Sequence, residues 1–175
     1  MMERKDLITN DQGAQASINR MDIKCRSSET EEDLKPDRKL VHITTFAMEM
    51  TSEQVASEFG TALHSALFFE GKGYAFKGRT APAIKVLPQH MTLETVGGKT
   101  KIEFGEVAIR KLSFRPCGTH ETGAVVLEVE CEIEAEKKAA NLQRFLQLEN
   151  FVLSAEAEAG AMFSDMAADG KLKAV

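Results

Sequence analysis

Alternating apolar and polar positions form the clearest pattern in the chain, and they are most regular from Ala124 to Ala135. Successive side chains of a strand point to opposite faces, so this stretch predicts a strand with one buried and one solvent-exposed face. The buried face would carry Val125, Leu127, Val129, Cys131 and Ile133, and the exposed face Glu128, Glu130, Glu132 and Glu134. Lys39 to Met50, rich in β-branched and aromatic residues, predicts the first strand of the sheet.

Apolar residues recur at three- and four-residue steps after this first strand. They predict a helix from about Ser52 to Phe69, despite Gly60 inside it. Thr51 and Gln54 have the spacing of a capping box, in which each side chain accepts a hydrogen bond from the other residue's backbone. The helix is therefore expected to begin directly after Thr51.

Glycines mark a hairpin in the middle of the chain. Met91 to Val96 and Lys99 to Phe104 flank Gly97 and Gly98, a pair able to adopt the positive φ angles of a tight turn. Ala83 to Leu87, bounded by prolines, predicts a short extended segment before the hairpin.

Apolar residues change face further along the second hairpin strand. Val107 and Ile109 share one face and are flanked by the charged residues Glu106 and Arg110, but the next apolar pair, Leu112 and Phe114, falls on the other parity. One extra residue in a strand restores the facing of those that follow, so we expect a β-bulge near Arg110 and Lys111.

The predicted order is strand, helix, three or four strands, a helix over Glu136 to Leu148, and a strand over Phe151 to Ala157. This order indicates an α+β fold, mostly antiparallel, with two helices packed on one face of the sheet. We expect residues 40–159 to form a single domain. Residues 1–39 are expected to be a flexible polar arm, because they offer little apolar area to offset the entropy of ordering, and residues 160–175 a frayed tail.

Composition places the chain among ordinary globular proteins. It has 175 residues, of which 43% are hydrophobic and 28% charged, enough for one core of normal size. It contains no apolar run long enough to span a bilayer and no pattern of a secretory signal. Three cysteines, an odd number, favour a reducing environment, so we expect a cytoplasmic protein without membrane contact.

Charge is distributed unevenly along the chain. Residues 71–115 contain nine basic and three acidic residues, whereas residues 116–160 contain three basic and nine acidic residues. The basic segment suggests a phosphate-binding face. If its strand pairs with the glutamate-rich strand, however, opposite charges face each other and largely cancel, and we favour this second interpretation.

A short basic and aromatic segment suggests contact with nucleic acid. The sequence from Lys72 to Phe76 matches the first five positions of an RNA-recognition signature, but the match fails at the positions that follow. What remains is a loop with the cationic and stacking groups that bind single strands, namely Lys72, Tyr74, Phe76, Lys77 and Arg79. The alternative is that the two aromatic rings pack on the core while the cations stay solvated.

Catalytic and metal-binding patterns are weak throughout. The glutamates of the alternating strand lie about 7 Å apart, too far to hold one ion easily. Cys117 and His120 have ligand-like spacing but would need two further ligands for a zinc site. His64 lies on the apolar side of its helix and is expected to be a partly buried core residue and not a ligand. Neither Cys117 nor Ser113 has a recognisable base. We therefore expect no enzymatic activity, no catalytic residues, no metal and no cofactor.

The order of features from Gln54 to Glu156 resembles a group of small early proteins of tailed bacteriophages, encoded near recombination genes. The resemblance rests on the segments FGEVAIRKLSFRP (residues 104–116) and VVLEVECEI (residues 125–133), on the hairpin before them and on the helix and strand after them. It implies an accessory protein of DNA replication, recombination or host takeover in the host bacterial cytoplasm.

Two functional hypotheses follow. The first is a non-enzymatic accessory protein of phage DNA metabolism that contacts single-stranded nucleic acid through the loop from Lys72 to Arg79. The second is an interaction module that binds or inhibits a basic host or phage protein through an acidic face formed by Glu128, Glu130, Glu132 and Glu134. An exposed sheet edge could also be closed by a second copy, so an oligomer is compatible with either hypothesis.

Overall fold

A closed antiparallel barrel of six strands is the main feature of the part of the chain that the structure describes. The computed structural model describes residues 2–9, 11–28, 37–69, 78–117, 123–134 and 138–157. Around the barrel the strands follow the order β2 (Ala14–Ser28), β3 (Asp37–Thr51), β7 (Ala124–Glu134), β6 (Lys101–Pro116), β5 (Gln89–Glu94) and β8 (Phe151–Ala157). Two short strands, β1 (Met2–Arg4) and β4 (Ile84–Val86), form a separate parallel pair.

Three helices accompany the strands within the described residues: α1 (Ser52–Phe59), α2 (Thr61–Leu67) and α3 (Ala139–Leu146). Phe59 of α1 packs edge-to-face on Phe114, near the C-terminal end of β6. Lys138, which precedes α3, donates a hydrogen bond to the Glu103 carbonyl near the other end of β6. Most of the length of β6, roughly 30 Å of strand, separates these two contacts. The α+β class and the mostly antiparallel pairing are confirmed. The expected packing of two helices on one face of the sheet is not confirmed, since α1 contacts β6 through Phe59 and α3 packs against β2.

The expectation of a flexible arm over residues 1–39 is corrected by β2. This strand pairs with β3 from Ser17 to Ser28 and with β8 from Ala14 to Ala16, and so completes the barrel. Ala16 and Ile18 are buried in the core. The run of charged residues after β2 concealed this contribution, and residues 29–36 lie outside the described part of the chain, as does the predicted tail over residues 160–175.

The expected helix over residues 52–69 is divided at Gly60. Gly60 has a φ of 87°, which ends α1, and α2 begins at the next residue. The predicted capping box is confirmed, since the Thr51 hydroxyl accepts from the Gln54 backbone and the Gln54 side chain accepts from the Thr51 backbone.

Strand β7 confirms the predicted alternation on its inner face. Its inward residues are all nearly or fully buried: Val125, Leu127, Val129, Cys131 and Ile133. At the barrel end near α3, Phe151 contacts Phe46 and Phe145 edge-to-face, with ring centroids 6.1 and 5.2 Å apart. These rings fill the space between the strands and α3.

The hairpin and the bulge are also present where the sequence predicts them. Glu94 of β5 pairs with Lys101 of β6, and the Thr95 amide donates a hydrogen bond to the Thr100 carbonyl. The loop is therefore longer than a two-residue turn at Gly97 and Gly98, and the Gly98 amide donates a hydrogen bond to the Thr95 carbonyl inside it. The β6–β7 register shifts between Ile109 and Lys111, which is the expected bulge. A second shift in β6, in its pairing with β5, accompanies a positive φ of 53° at Glu106 and was not anticipated.

Candidate ligand-binding cleft

Strands β2 and β3 separate at one end of their shared ladder. Their pairing begins at Ser17 opposite Ala47, although β2 starts at Ala14 and β3 continues to Thr51. Both terminal segments stay paired on their other sides, Ala14 to Ala16 with β8 and Ala47 to Thr51 with β7. The two facing edges therefore open onto a cleft of about 680 Å³, which is within the range of small-ligand sites.

The cleft has an apolar floor and a polar rim. The floor consists of buried core residues: Leu7, Ala16, Met48, Phe59 and Leu127. The rim carries three carboxylates, those of Glu49, Glu58 and Glu149, together with the neutral side chains of Thr9, Gln15, Ser17, Thr51, Gln54 and Asn150. Among the described residues that line the cleft, none is a lysine or an arginine. The rim is thus electrostatically negative.

The N-terminal segment fixes one wall of this cleft. The Arg4 guanidinium forms an ion pair with Glu58 at 3.1 Å and lies 4.1 Å from the centroid of the Phe59 ring. The Thr9 hydroxyl donates a hydrogen bond to the other carboxylate oxygen of Glu58. Glu58 is consequently oriented and partly neutralised, which leaves Glu49 and Glu149 as the more exposed charges.

Glu49 also acts on its neighbour Cys117. Burial raises the pKa of the Cys117 thiol, and the Glu49 carboxylate raises it further. A raised pKa keeps this thiol protonated at neutral pH, so it is a poor nucleophile. His120, its predicted companion in a zinc site, lies outside the described residues.

Gly13 shapes the start of β2 at the cleft. Its φ is 77°, and a Cβ at this position would lie 2.6 Å from Ser154 Oγ and 2.8 Å from the Leu153 carbonyl oxygen. Only glycine combines this backbone angle with such close contact to β8. The residue thereby sets where β2 joins β8 and where it leaves β3.

The predicted nucleic-acid loop falls mostly outside the described residues, which exclude Lys72, Tyr74, Phe76 and Lys77. Arg79 is described, and its guanidinium forms an ion pair with Glu128 at 2.8 Å, while its side chain remains 58% exposed.

The predicted acidic face is more enclosed than expected at one position. Glu128 is only 8% exposed, which corrects the expectation that the whole glutamate row is wet. Its carboxylate accepts hydrogen bonds from Arg115 Nε at 2.9 Å, Ser113 Oγ at 3.3 Å and Asn19 Nδ2 at 3.3 Å, in addition to the Arg79 ion pair. A buried carboxylate needs such partners, because unpaired burial of a charge is strongly unfavourable.

The remaining glutamates of β7 are more open to solvent. Glu130 lies 3.9 Å from Arg110, and Glu134 lies 3.6 Å from Lys39. Glu132 is partly exposed. The carboxylates of β7 are therefore partly neutralised by cations of both neighbouring strands, by Lys39 of β3 and by the β6 cations that the preferred interpretation of the charge distribution expects.

Two histidines lie in arrangements that the sequence did not reveal. Ser52 Oγ lies 2.6 Å from His64 Nε2, and the His64 ring stacks on Phe68. Ser52 is not among the residues lining the cleft, so the pair joins α1 to α2 without facing that site. His42 and Thr44 lie inside the barrel, and within the described part of the chain the His42 ring nitrogens and the Thr44 hydroxyl have no hydrogen-bond partner.

The described residues contain no group of three or more histidine, cysteine, aspartate or glutamate side chains arranged to hold a metal ion. Every helix among them is too short or too polar to cross a bilayer. Searches with protein-family models, against curated proteins and against solved structures find no match for this chain. Function is therefore inferred from the cleft itself.

The cleft was not predicted because its lining comes from distant parts of the sequence: residues 7–9, 13–17, 47–51, 54, 58–59, 127 and 149–150. One local signal was available. Ala14, Ala16 and Ile18 alternate, and Met21 and Ile23 continue the alternation after a one-residue shift. Reading that shift as a bulge would have placed β2 in the sheet.

Proposed function

We propose that this protein is a non-enzymatic binding protein whose cleft receives an extended, basic segment of a partner protein. The observation that carries the proposal is the separation of β2 and β3, which leaves two strand edges facing a carboxylate-rimmed cleft. This function belongs to the class of interaction modules that bind basic proteins, but it uses the cleft and not the glutamate row of β7.

The strand edges favour a peptide over a compact small molecule. A strand edge presents backbone N–H and C=O groups in a row, and an extended peptide satisfies them by adding as a further strand. Ala14 to Ala16 and Met48 to Thr51 have strand partners on one side only among the described residues. They therefore offer main-chain hydrogen bonds to an incoming segment.

The lining sets the expected side chains of that segment. Alternate side chains of an extended peptide point in opposite directions, so one set can contact the floor around Met48 and Leu127. The other set lies near the rim, where Glu49 and Glu149 favour lysine or arginine. The expected ligand alternates apolar and basic residues. Basic, nucleic-acid-handling proteins supply such segments, which connects this proposal with the resemblance to phage proteins of DNA metabolism.

Selection from a library of random hexapeptides displayed on phage tests the proposal directly. Wild-type protein should enrich peptides that alternate apolar and basic residues. The double variant Glu49→Lys/Glu149→Lys should bind the enriched peptides at least about tenfold more weakly, equivalent to about 1.4 kcal/mol. A matched double variant, Glu53→Lys/Glu156→Lys, changes two exposed glutamates outside the cleft and should keep the affinity. Equal binding by all three proteins, or no enrichment, would refute the proposal.

Contact with single-stranded nucleic acid is a second candidate function. The observation that favours it is the exposure of two residues that flank residues 70–77, since Phe69 is 44% exposed and the Arg79 side chain 58% exposed. Fluorescence anisotropy with a labelled oligonucleotide at low salt is the appropriate test. Binding that weakens with salt and is lost in Lys72→Ala/Lys77→Ala would support this function, and its absence at micromolar protein would remove it.

A further inference from the structure

Strand β2 has a second free edge, distinct from the cleft. It pairs with β3 from Ser17 to Ser28, but on its other side it pairs with β8 only over Ala14 to Ala16. The later part of β2 therefore has no strand beside it on that side in the described part of the chain. Helix α3 packs against β2, yet Ile23, Lys24 and Cys25 are all exposed. An edge of this length readily pairs with another strand.

Apolar groups are exposed on one face of this edge. Ile23 is 54% exposed, and Leu40, which lies opposite Cys25 on the neighbouring strand β3, is 51% exposed. Ile23, Cys25 and Leu40 lie on the same face of β2 and β3 as His42, which pairs with Ile23. Further along the two strands, this face points into the barrel. Contiguous exposed apolar residues next to an open edge are typical of an interaction surface.

The charges on the other face identify the partner. We propose that β2 pairs antiparallel with β2 of a second copy of this chain, centred on Ile23. In that register Asp22 of each copy lies opposite Lys24 of the other, so two complementary charge pairs form beside the ion pair that Asp22 makes with Arg20 of its own strand at 2.7 Å. On the apolar face Ile23 meets its own counterpart, and Met21 meets Cys25. The side chains of β2 that the structure describes take part in this register from Met21 to Cys25.

Symmetry and size define the kind of dimer. A two-fold axis through the Ile23 pair makes the contact the same for both copies, which closes the assembly at two chains. A pairing that runs only from Met21 to Cys25 buries less area than a standard stable interface, so the dimer dissociates on dilution. The cleft uses the opposite edge of β2 and stays accessible in the dimer.

Sedimentation velocity from low to high micromolar protein, applied to variants with altered charges, tests the proposed pairing of Asp22 with Lys24 of the other copy. Wild type should shift from monomer towards dimer as concentration rises. Lys24→Asp should raise the dimer dissociation constant at least about tenfold, because Asp22 then faces an aspartate. The swap Asp22→Lys/Lys24→Asp should restore dimerisation, and Lys99→Asp, the same change at the tip of the β5–β6 hairpin, should leave it unchanged. A wild-type monomer throughout, or a dimer insensitive to Lys24→Asp, would overturn the proposal.

Cross-linking tests the centre of the pairing. In a Cys25→Ser background, Ile23→Cys should form a disulfide-linked dimer under mild oxidation, because the two introduced thiols face each other across the axis. Val96→Cys in the same background is the control, since Val96 is 66% exposed but lies in the turn between β5 and β6, two strands that do not pair with β2. Equal cross-linking at both positions would show random collision and would contradict the proposed register.

Discussion

His42 and Thr44 place polar atoms without a hydrogen-bond partner inside the barrel, as far as the described residues extend. His42 is 3% exposed and lies between Ile23 and Ile133 on the neighbouring strands. Burial lowers the pKa of His42 below its ordinary value of 6.5, because the charged imidazolium loses its hydration. The folded protein therefore favours the neutral ring, whereas the unfolded chain takes up a proton at higher pH.

This difference in pKa predicts loss of stability in mild acid. His42 does not reduce the free energy of unfolding above about pH 6.5. As the pH falls below that value, the free energy of unfolding decreases by at most about 1.4 kcal/mol per pH unit. Urea unfolding at pH 7.5 and 5.5 measures it. His42→Leu should unfold with a smaller difference between the two pH values, and His90→Leu, at a partly exposed position, should retain the wild-type difference. An unchanged pH dependence in His42→Leu would contradict the neutral state of the ring.

Gly13 predicts a destabilising substitution of steric origin. Gly13→Ala combines a positive φ with a Cβ 2.6 Å from Ser154 Oγ, and should cost about 1–3 kcal/mol of unfolding free energy. Gly97→Ala is the matched control, because Gly97 also has a positive φ but a Cβ added there would meet no atom within 4 Å. Gly97→Ala should therefore lower the free energy of unfolding by less than Gly13→Ala does. Equal losses for the two variants would mean that the contact with β8 contributes nothing.

At the level of elements, Glu128 joins β7, β6, β2 and the segment before β4 through its four side-chain partners. Glu128→Gln removes the negative charge that pairs with Arg79 and Arg115, and should destabilise the protein by about 1–3 kcal/mol. Arg79→Ala should cost less, since that side chain is 58% exposed. Chemical denaturation of both variants checks the order, and a larger loss for Arg79→Ala would contradict the central position of Glu128.

The capping box gives a second prediction at this level. Thr51→Ala removes the acceptor for the Gln54 backbone amide and should cost about 1 kcal/mol. Thr51→Ser keeps a hydroxyl at the same position and should retain most of the stability. Thermal unfolding of the two variants side by side distinguishes the cap from other roles of Thr51, and similar losses in both would argue against it.

Local patterns predicted these elements wherever neighbouring residues determine the outcome. The alternation of β7, the hairpin at Gly97 and Gly98, the bulge near Arg110 and the cap at Thr51 all depend on residues close in sequence. Gly60 divides the expected helix because glycine adopts the positive φ of 87° that ends α1 at little steric cost.

Across the whole molecule, closure of the barrel could not be predicted in this way. The closing contact pairs Ala14 to Ala16 with Phe151 to Leu153, at opposite ends of the sequence. The cleft also depends on contacts between residues far apart in the sequence, because it lies where the pairing of β2 changes from β8 to β3. Glu128 illustrates the same limit, since its burial depends on Asn19 and Arg79 as well as on the adjacent strand.

The N-terminal residues are therefore predicted to be essential for folding. Removal of residues 1–28 deletes β2, together with the buried side chains of Leu7, Ala16 and Ile18. The truncated chain should lose its cooperative thermal transition, whereas a flexible arm could be removed without loss. Circular dichroism during heating distinguishes an essential strand from a removable arm. A truncated protein that unfolds like the full chain would contradict the closed barrel.

Binding of a basic extended peptide between β2 and β3 is examined most directly by an NMR titration. The probe is a hexapeptide of alternating lysine and valine, with a glutamate–valine hexapeptide as the control, added to ¹⁵N-labelled protein. The lysine peptide alone should shift the backbone amides of Ala14 to Ser17 and Ala47 to Thr51, which line the cleft. Shifts confined to other surfaces, or equal shifts with the glutamate peptide, would show that the cleft is not a site for basic segments.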